Sequence, residues 1–252
     1  MIEILKEIAE EAGKLILEVY NSNDFDVEIK SDNSPLTIAD KNSHDFILDK
    51  LNKNFPEVPV ISEEGGNTEF EIRKNWNEFF LVDPLDGTKE FIKKNGEFTV
   101  NIALIKNRKP VLGVINVPVS GETYYGSIDE GSYKQSNGNN RKIEVSKKNE
   151  NDELTVVQSR SHSGEEEKKF YSKFKIKESI SRGSSLKICM VAEGKAELYF
   201  RGGPTWEWDT AAGHAILISA GGYFTNKDYS SLLYNKEVSK NYGFIASAFE
   251  IE

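Results

Sequence analysis

Residues 79–91 read FFLVDPLDGTKEF, and the rest of the chain is organised around them. Phe79, Phe80, Leu81 and Val82 have the bulk and length of a buried strand, which delivers Asp83 to its end. Pro84 is expected to block further ladder pairing there. Asp86 then precedes Gly87, a pair that marks a tight turn with positive φ at the glycine. Both carboxylates therefore belong to one bend. Two ionised carboxylates ~4 Å apart repel by ~4 kcal/mol at an effective dielectric of ~20, so a fold that holds them together needs a cation or a proton between them. A hard divalent cation suits that position best. Thr88 follows as the expected cap of a helix beginning at KEFI, which leaves its hydroxyl beside the carboxylates. Taken alone, the same residues also make an ordinary strand, turn and helix with solvated aspartates.

Bulk composition narrows the classes. The 252 residues suffice for one large core or two smaller halves, and 38% apolar with 11% aromatic residues suits a folded soluble chain. A net charge of −9 argues against binding nucleic-acid polymers or anionic membranes. An anionic substrate would thus depend on metal ions and a few local Lys or Arg residues. Cys189 is the single cysteine and the three histidines have no cysteine partners, so neither a disulfide nor a zinc spacing is present. The acidic, amphipathic start MIEILKEIAEEAG lacks the regions of a signal peptide, and no window is apolar enough to span a bilayer. A cytoplasmic location is expected, with peripheral membrane contact left open.

Apolar residues at helical spacing from Ile4 to Val19 predict an amphipathic helix over residues 2–20. DVEIK is expected to be a short strand, followed by a polar loop and a second helix with Thr37 as N-cap and Asp40 in its first turn. An aspartate at that place also serves simply as a partner of the helix dipole. VPVISEEGG ends a short strand in Glu63 and Glu64, of which only one should face a site because consecutive strand residues point opposite ways. FTVNIALI, VLGVINVPV, GETYYGSI, GSYKQ and RKIEVSK predict an antiparallel meander with a hairpin tip at SNGNNRK. KKNENDE marks the boundary between halves. Beyond it, LTVVQSRSH predicts a strand and GEEEKKFYSKF a charged helix, before a short segment at IKESISR. A Ser-capped helix ending near Gly194, a strand from Ala196 to Arg201, a helix headed by Asp209 and a last strand at YGFIAS complete the chain. Asp209 can be no more than a cap of its helix.

ISEEGG, DPLDGTKEFI and WDTAAGHAIL together resemble the magnesium-dependent phosphatases of the inositol monophosphatase superfamily. KSDNSPLTIAD, TKEFIKKNGEFTVNIAL, SRSH and GSSLK are similar, more narrowly, to its bacterial 3'(2'),5'-bisphosphate nucleotidases. The resemblance covers nearly the whole chain. It implies an α/β fold, an alternating αβαβα sandwich, as one catalytic unit over residues 1–252. Its subdomains would be about 1–150, with the helix pair, the antiparallel sheet and most metal ligands, and about 151–252, with the substrate side and the last ligand.

Residue by residue, the resemblance implies metal ligation by Glu64, Asp83, the Leu85 carbonyl, Asp86 and Asp209. The all-oxygen set suits Mg2+, with roughly two or three ions at once. Thr88 would orient the attacking water, with Glu64 or Asp40 completing its hydrogen bonds and Glu64 preferred. Substrate contacts would come from Asp86, Gly87, Thr88, His162, Ser184, Lys187, Arg201 and Asp209. Physical chemistry adds that Ser184 and Ser185 open a helix whose free N–H groups can hold an anion. One departure from the family pattern is Glu207, between Trp206 and Trp208, and it is expected to face water.

The implied activity is hydrolysis of the 3'-phosphate of adenosine 3',5'-bisphosphate to AMP, with 3'-phosphoadenylyl sulfate as a second substrate, a place in sulfur metabolism and inhibition by lithium. The alternatives are an inositol monophosphatase-like enzyme acting on a small polyol phosphate and a nucleotide-binding protein that does not hydrolyse.

Overall fold

The computed structural model describes residues 1–22, 28–29, 35–66, 68–160 and 164–251. Its first half opens with helix α1 (Ile2–Ser22), the paired segments β1 (Glu28–Ile29) and β2 (Pro35–Leu36), and helix α2 (Ile38–Asn54). β3 (Val60–Ser62), the single turn α3 (Phe70–Arg73), β4 (Glu78–Asp86) and the short α4 (Thr88–Ile92) follow. The meander is β5 (Thr99–Lys106), β6 (Lys109–Val117), β7 (Glu122–Ser127), β8 (Gly131–Ser136) and β9 (Asn139–Ile143). The second half holds β10 (Glu153–Ser159), α5 (Glu165–Tyr171), β11 (Lys175–Arg182), α6 (Leu186–Ala192) and β12 (Leu198–Arg201). It ends with β13 (Thr205–Trp206), α7 (Glu207–Ser219), β14 (Tyr223–Asn226), β15 (Lys240–Asn241) and β16 (Phe244–Ser247).

A seven-stranded sheet runs β3-β4-β5-β6-β7-β8-β9, and a five-stranded sheet runs β11-β10-β12-β16-β14. Strand alternation shows how five layers arise. In β4, Phe80 and Val82 face α1 and α2, while Phe79 and Leu81 face the opposite side, toward α6 and α7. In the second sheet, Val157, Tyr199, Phe244 and Ala246 face those same two helices. Val156, Leu198, Phe200 and Ile245 point outward onto Phe170 and Tyr171 of α5. The order is thus αβαβα, with α6 and α7 shared between the sheets. Each fully buried Phe or Leu contributes about 1.5–3 kcal/mol through burial alone. At Gly113 the helix lies directly on the sheet, since a Cβ there would come 2.3 Å from the Ala212 carbonyl oxygen.

Several local expectations change. Strand β4 does not stop at Asp83 but continues to Asp86, its register with β5 stepping from Asp83↔Asn101 to Asp86↔Thr99. That one-residue excess is a bulge, which removes Pro84, lacking an N–H, from the ladder without ending the strand. Thr88 is the first residue of α4 and not its cap; Gly87, at φ 95°, occupies the N-cap. IKESISR, together with Lys175 before it, forms the eight-residue edge strand β11, parallel to β10. It is almost wholly exposed and so carries no apolar alternation to mark it. The SNGNNRK hairpin is as expected, with Asn137 (φ 50°) and Gly138 (φ 74°) both left-handed, as a two-residue turn between twisted strands requires. Of the DVEIK strand, only Glu28 and Ile29 fall among the described residues.

Candidate active site

The site lies where the ends of β3 and β4 meet the first turns of α2, α6 and α7. β3 runs parallel to β4 with Val60 opposite Phe80, Ile61 opposite Leu81 and Ser62 opposite Val82. One step further, Glu63 is level with Asp83, and its N–H donates to the Val82 carbonyl at 3.1 Å. Carboxylate oxygens of Glu63, Asp83 and Asp209 all lie within 4.8 Å of one another. The structure brings Glu63, in place of the expected Glu64, into this cluster. Glu64 is not one of these three carboxylates, and its charge acts on His44.

Asp83 is 1% exposed, and the Leu85 N–H donates to its Oδ1 at 3.1 Å. Burial first, then the charges of Glu63, Asp86 and Asp209, hold its carboxyl well above the ordinary range. Asp209 is raised in the same way, by burial and then by Asp86 and Glu63. It is the third residue of α7 and accepts the Trp206 N–H at 2.9 Å, so capping and site membership coincide in one side chain. Such a mutually repelling, all-oxygen donor set fits a hard divalent cation, whose charge removes the repulsion.

Asp86 is held differently. Its Oδ2 accepts the Ser184 hydroxyl at 2.6 Å, and the Ser185 N–H and hydroxyl at 2.7 Å each. Asn101 Nδ2 donates to Ser185 Oγ at 2.8 Å, and Thr99 Oγ1 contacts Ser184 Oγ at 2.6 Å. Ser184 adopts φ 51°, a costly conformation for a non-glycine residue, in making these contacts. The expected anion at the start of this helix is thus the Asp86 carboxylate itself.

Asp40 is the third residue of α2 and 2% exposed. Its Oδ2 accepts both the N–H (2.8 Å) and the hydroxyl (2.6 Å) of Thr37, which fixes its rotamer. Its Oδ1 faces Thr88 Oγ1 at 3.3 Å, and that hydroxyl also lies 3.4 Å from the Leu85 carbonyl. Asp40, ranked second to Glu64 on sequence, is the carboxylate the structure places against Thr88. Ser43 of the same helix donates to the Pro84 carbonyl at 2.8 Å and pins the bulge.

A cavity of about 270 Å³ lies over this cluster, lined by Glu63, Asp83, Asp86, Thr88 and Asp209 among others. A second, of about 170 Å³, adjoins it and shares Asp86, Gly87 and Asp209. Lys187, Arg201 and Tyr199 line this second space. Lys187 is 7% exposed and donates to the Ser184 carbonyl at 2.6 Å. Burial pushes its ammonium down to about 8, against the opposing pull of Asp86. Arg201 Nε is buried and has no hydrogen-bond partner among the described residues. His162 lies outside the described residues.

Glu207 does not face water. It is fully buried, accepts the N–H groups of Asn235 and Lys236 at 3.0 Å each, and pairs with Lys236 Nζ at 3.1 Å. It anchors the loop at Asn235 and Lys236. Sequence reasoning also passed over Thr99 and Asn101, polar residues two apart in the otherwise apolar strand FTVNIALI. That interruption was the available signal.

Among the described residues no helix is long and apolar enough to cross a membrane. The model of the inositol monophosphatase family matches residues 1–249. The 3'(2'),5'-bisphosphate nucleotidase CysQ of Escherichia coli K12 is 44% identical over 251 residues, covering 99% of this chain and 100% of that protein. The corresponding protein of Haemophilus influenzae is 38% identical over 91% of this chain and 85% of its own length. The crystal structure of CysQ from Bacteroides thetaiotaomicron superposes with a TM-score of 0.85 at 43% identity, covering 96% of this chain and 95% of that one. With the extragenic suppressor protein suhB from Bartonella henselae, 23% identical and at a TM-score of 0.81 over 97% of this chain and 92% of the other, the likeness is one of fold. The chain belongs to the inositol monophosphatase family.

Proposed function

We propose that this protein is a magnesium-dependent 3'(2'),5'-bisphosphate nucleotidase that hydrolyses adenosine 3',5'-bisphosphate to AMP and phosphate, and that it also accepts 3'-phosphoadenylyl sulfate. The full-length similarity to CysQ nucleotidases supports the substrate class. The observation that carries the reading is the adjoining pair of cavities, one walled by carboxylates and the other adding Lys187 and Arg201 to the shared Asp86 and Asp209. A substrate with two phosphates matches that division.

Glu63, Asp83, Asp86, Asp209 and the Leu85 carbonyl would hold the metal. When bound, magnesium supplies positive charge against the phosphoryl oxygens and acidifies water in the site. The chain's own residues do the rest. Asp40, its other oxygen saturated by Thr37, accepts the Thr88 proton, which leaves the Thr88 oxygen lone pairs turned toward an attacking water. Thr88 thereby orients that water, and Asp40 is the carboxylate positioned to take up the proton through the hydroxyl. Lys187 and Arg201 neutralise and position the nucleotide, the guanidinium by its planar donor fork and the ammonium as a point charge.

Phosphate release from adenosine 3',5'-bisphosphate and from inositol 1-phosphate, measured in parallel with magnesium, tests the reading. A strong preference for the nucleotide is expected. Equal or better turnover of the inositol phosphate would move the assignment to a polyol phosphatase.

A further inference from the structure

Arg73 ties the segment that leaves the acidic cluster to the loop that holds the start of α7. From Glu63 the chain runs on to Arg73 of α3, whose Nε donates back to the Thr68 carbonyl at 3.2 Å. Its Nη1 donates to Asn235 Oδ1 at 2.8 Å and its Nη2 to the Glu237 carbonyl at 2.9 Å. Asn235 Nδ2 returns a bond to the Arg73 carbonyl at 2.7 Å, so the two residues clasp one another across 162 positions. Asn235 passes the connection on. Its N–H and that of Lys236 donate to the carboxylate of Glu207, two residues before Asp209. Asn241 of the same loop donates to the Trp206 carbonyl at 3.1 Å and to Thr210 Oγ1 at 3.0 Å, so the first turn of α7 is held before and after Asp209.

Arg73, Asn235 and Glu207 are all buried. Burial lowers the Arg73 pKa, and Glu207 is the charge that opposes the loss. Replacing buried ionic groups by packed apolar ones is often neutral or stabilising, so stability alone does not call for them here. The clasp joins Glu63 at one end to Asp209 at the other, two members of a carboxylate cluster that repels itself until a cation is present.

We propose that the clasp of Arg73, Asn235 and Glu207 holds Glu63 and Asp209 together against that repulsion, so that the cation meets a preorganised site. The three are positioning residues and act through the carboxylates. The proposal rests on reading Glu63, Asp83 and Asp209 as a metal site.

Calorimetric titration of magnesium into the metal-free full chain tests it. Arg73→Ala and Asn235→Gly should each weaken the affinity roughly tenfold, the usual size for groups that orient metal ligands. Asn235 has φ 60°, which glycine adopts without strain, so Asn235→Gly removes the side-chain bonds to Arg73 and keeps the test open if Arg73→Ala fails to fold. Thermal melts in EDTA give a second readout. Without the clasp the carboxylates are free to move apart, so the Tm gained by Asp83→Asn should be smaller in the Asn235→Gly background than in the otherwise wild-type chain. Unchanged magnesium affinity in both variants, or an equal Tm gain in both backgrounds, would overturn the proposal. Failure of the wild-type protein to bind magnesium would instead overturn the metal reading, and the melts in EDTA would still decide the clasp.

Discussion

Ser185 donates both its backbone N–H and its hydroxyl to Oδ2 of Asp86, at 2.7 Å each, across 99 residues of chain. The GSSLK turn of the second half thus holds a carboxylate of the first. Groups that orient a metal-binding carboxylate typically change metal affinity or activity about 10- to 100-fold when removed. Ser185→Ala should therefore raise the magnesium concentration for half-maximal activation by about tenfold or more, with little change in Tm. Calorimetric titration of magnesium into the metal-free protein checks this without reference to turnover. An unchanged magnesium affinity would mean that the contact only caps α6.

Asp83→Asn should abolish turnover while the metal-free protein stays folded and gains stability, because one of several repelling carboxylates becomes neutral. The sign follows from the raised carboxyl groups of Asp83 and Asp209. Between the ordinary carboxyl value of about 4 and the higher folded value, the folded state binds more protons than the unfolded one, so stability present at low pH is lost as pH rises through that interval. In EDTA, Tm should fall as pH rises above about 4, and the decline should be shallower in Asp83→Asn. A gain of roughly a few °C near neutral pH is the expected size. A variant that unfolds instead would make Asp83 a structural residue.

Lys187, pushed down to about 8 by burial, loses its charge at the alkaline edge of the working range. Protonated below that value and neutral above it, it should cause kcat/KM for the bisphosphate to fall as pH rises through about 8. In Lys187→Met the overall value should be lower and this alkaline limb should disappear. A pH–rate profile of the free enzyme checks both. Persistence of the limb in the variant would assign it to another group.

The layers, and the stretch that brings Asp83 and Asp86 onto one bend, were legible because the relevant signals are local. Phe79 to Val82 form the continuous apolar run of a strand buried on both faces, and DPLDGT encodes its own turn. The Glu63 against Glu64 choice was not legible, because it depends on the parallel register that sets Ser62 opposite Val82. Alternation says that one of two adjacent acids faces the site but not which. Pairing of Asp40 with Thr88, 48 positions away, and of Ser185 with Asp86 depends in the same way on how α2 and α6 seat against β4. Glu207 was misjudged because helix position alone does not show that the loop at Asn235 and Lys236 folds over it. Resemblance to a family supplied the expected roles, and tertiary register decides which side chains are brought together.

The most direct measurement is phosphate release from adenosine 3',5'-bisphosphate as a function of magnesium, by Glu63→Gln and Glu64→Gln side by side with the wild-type protein after metal removal. Loss of activity by at least about a hundredfold in Glu63→Gln, with Glu64→Gln within a few-fold of wild type, is the result expected if Glu63 completes the cluster with Asp83 and Asp209. The reverse order, or equal activity in all three proteins, would contradict it.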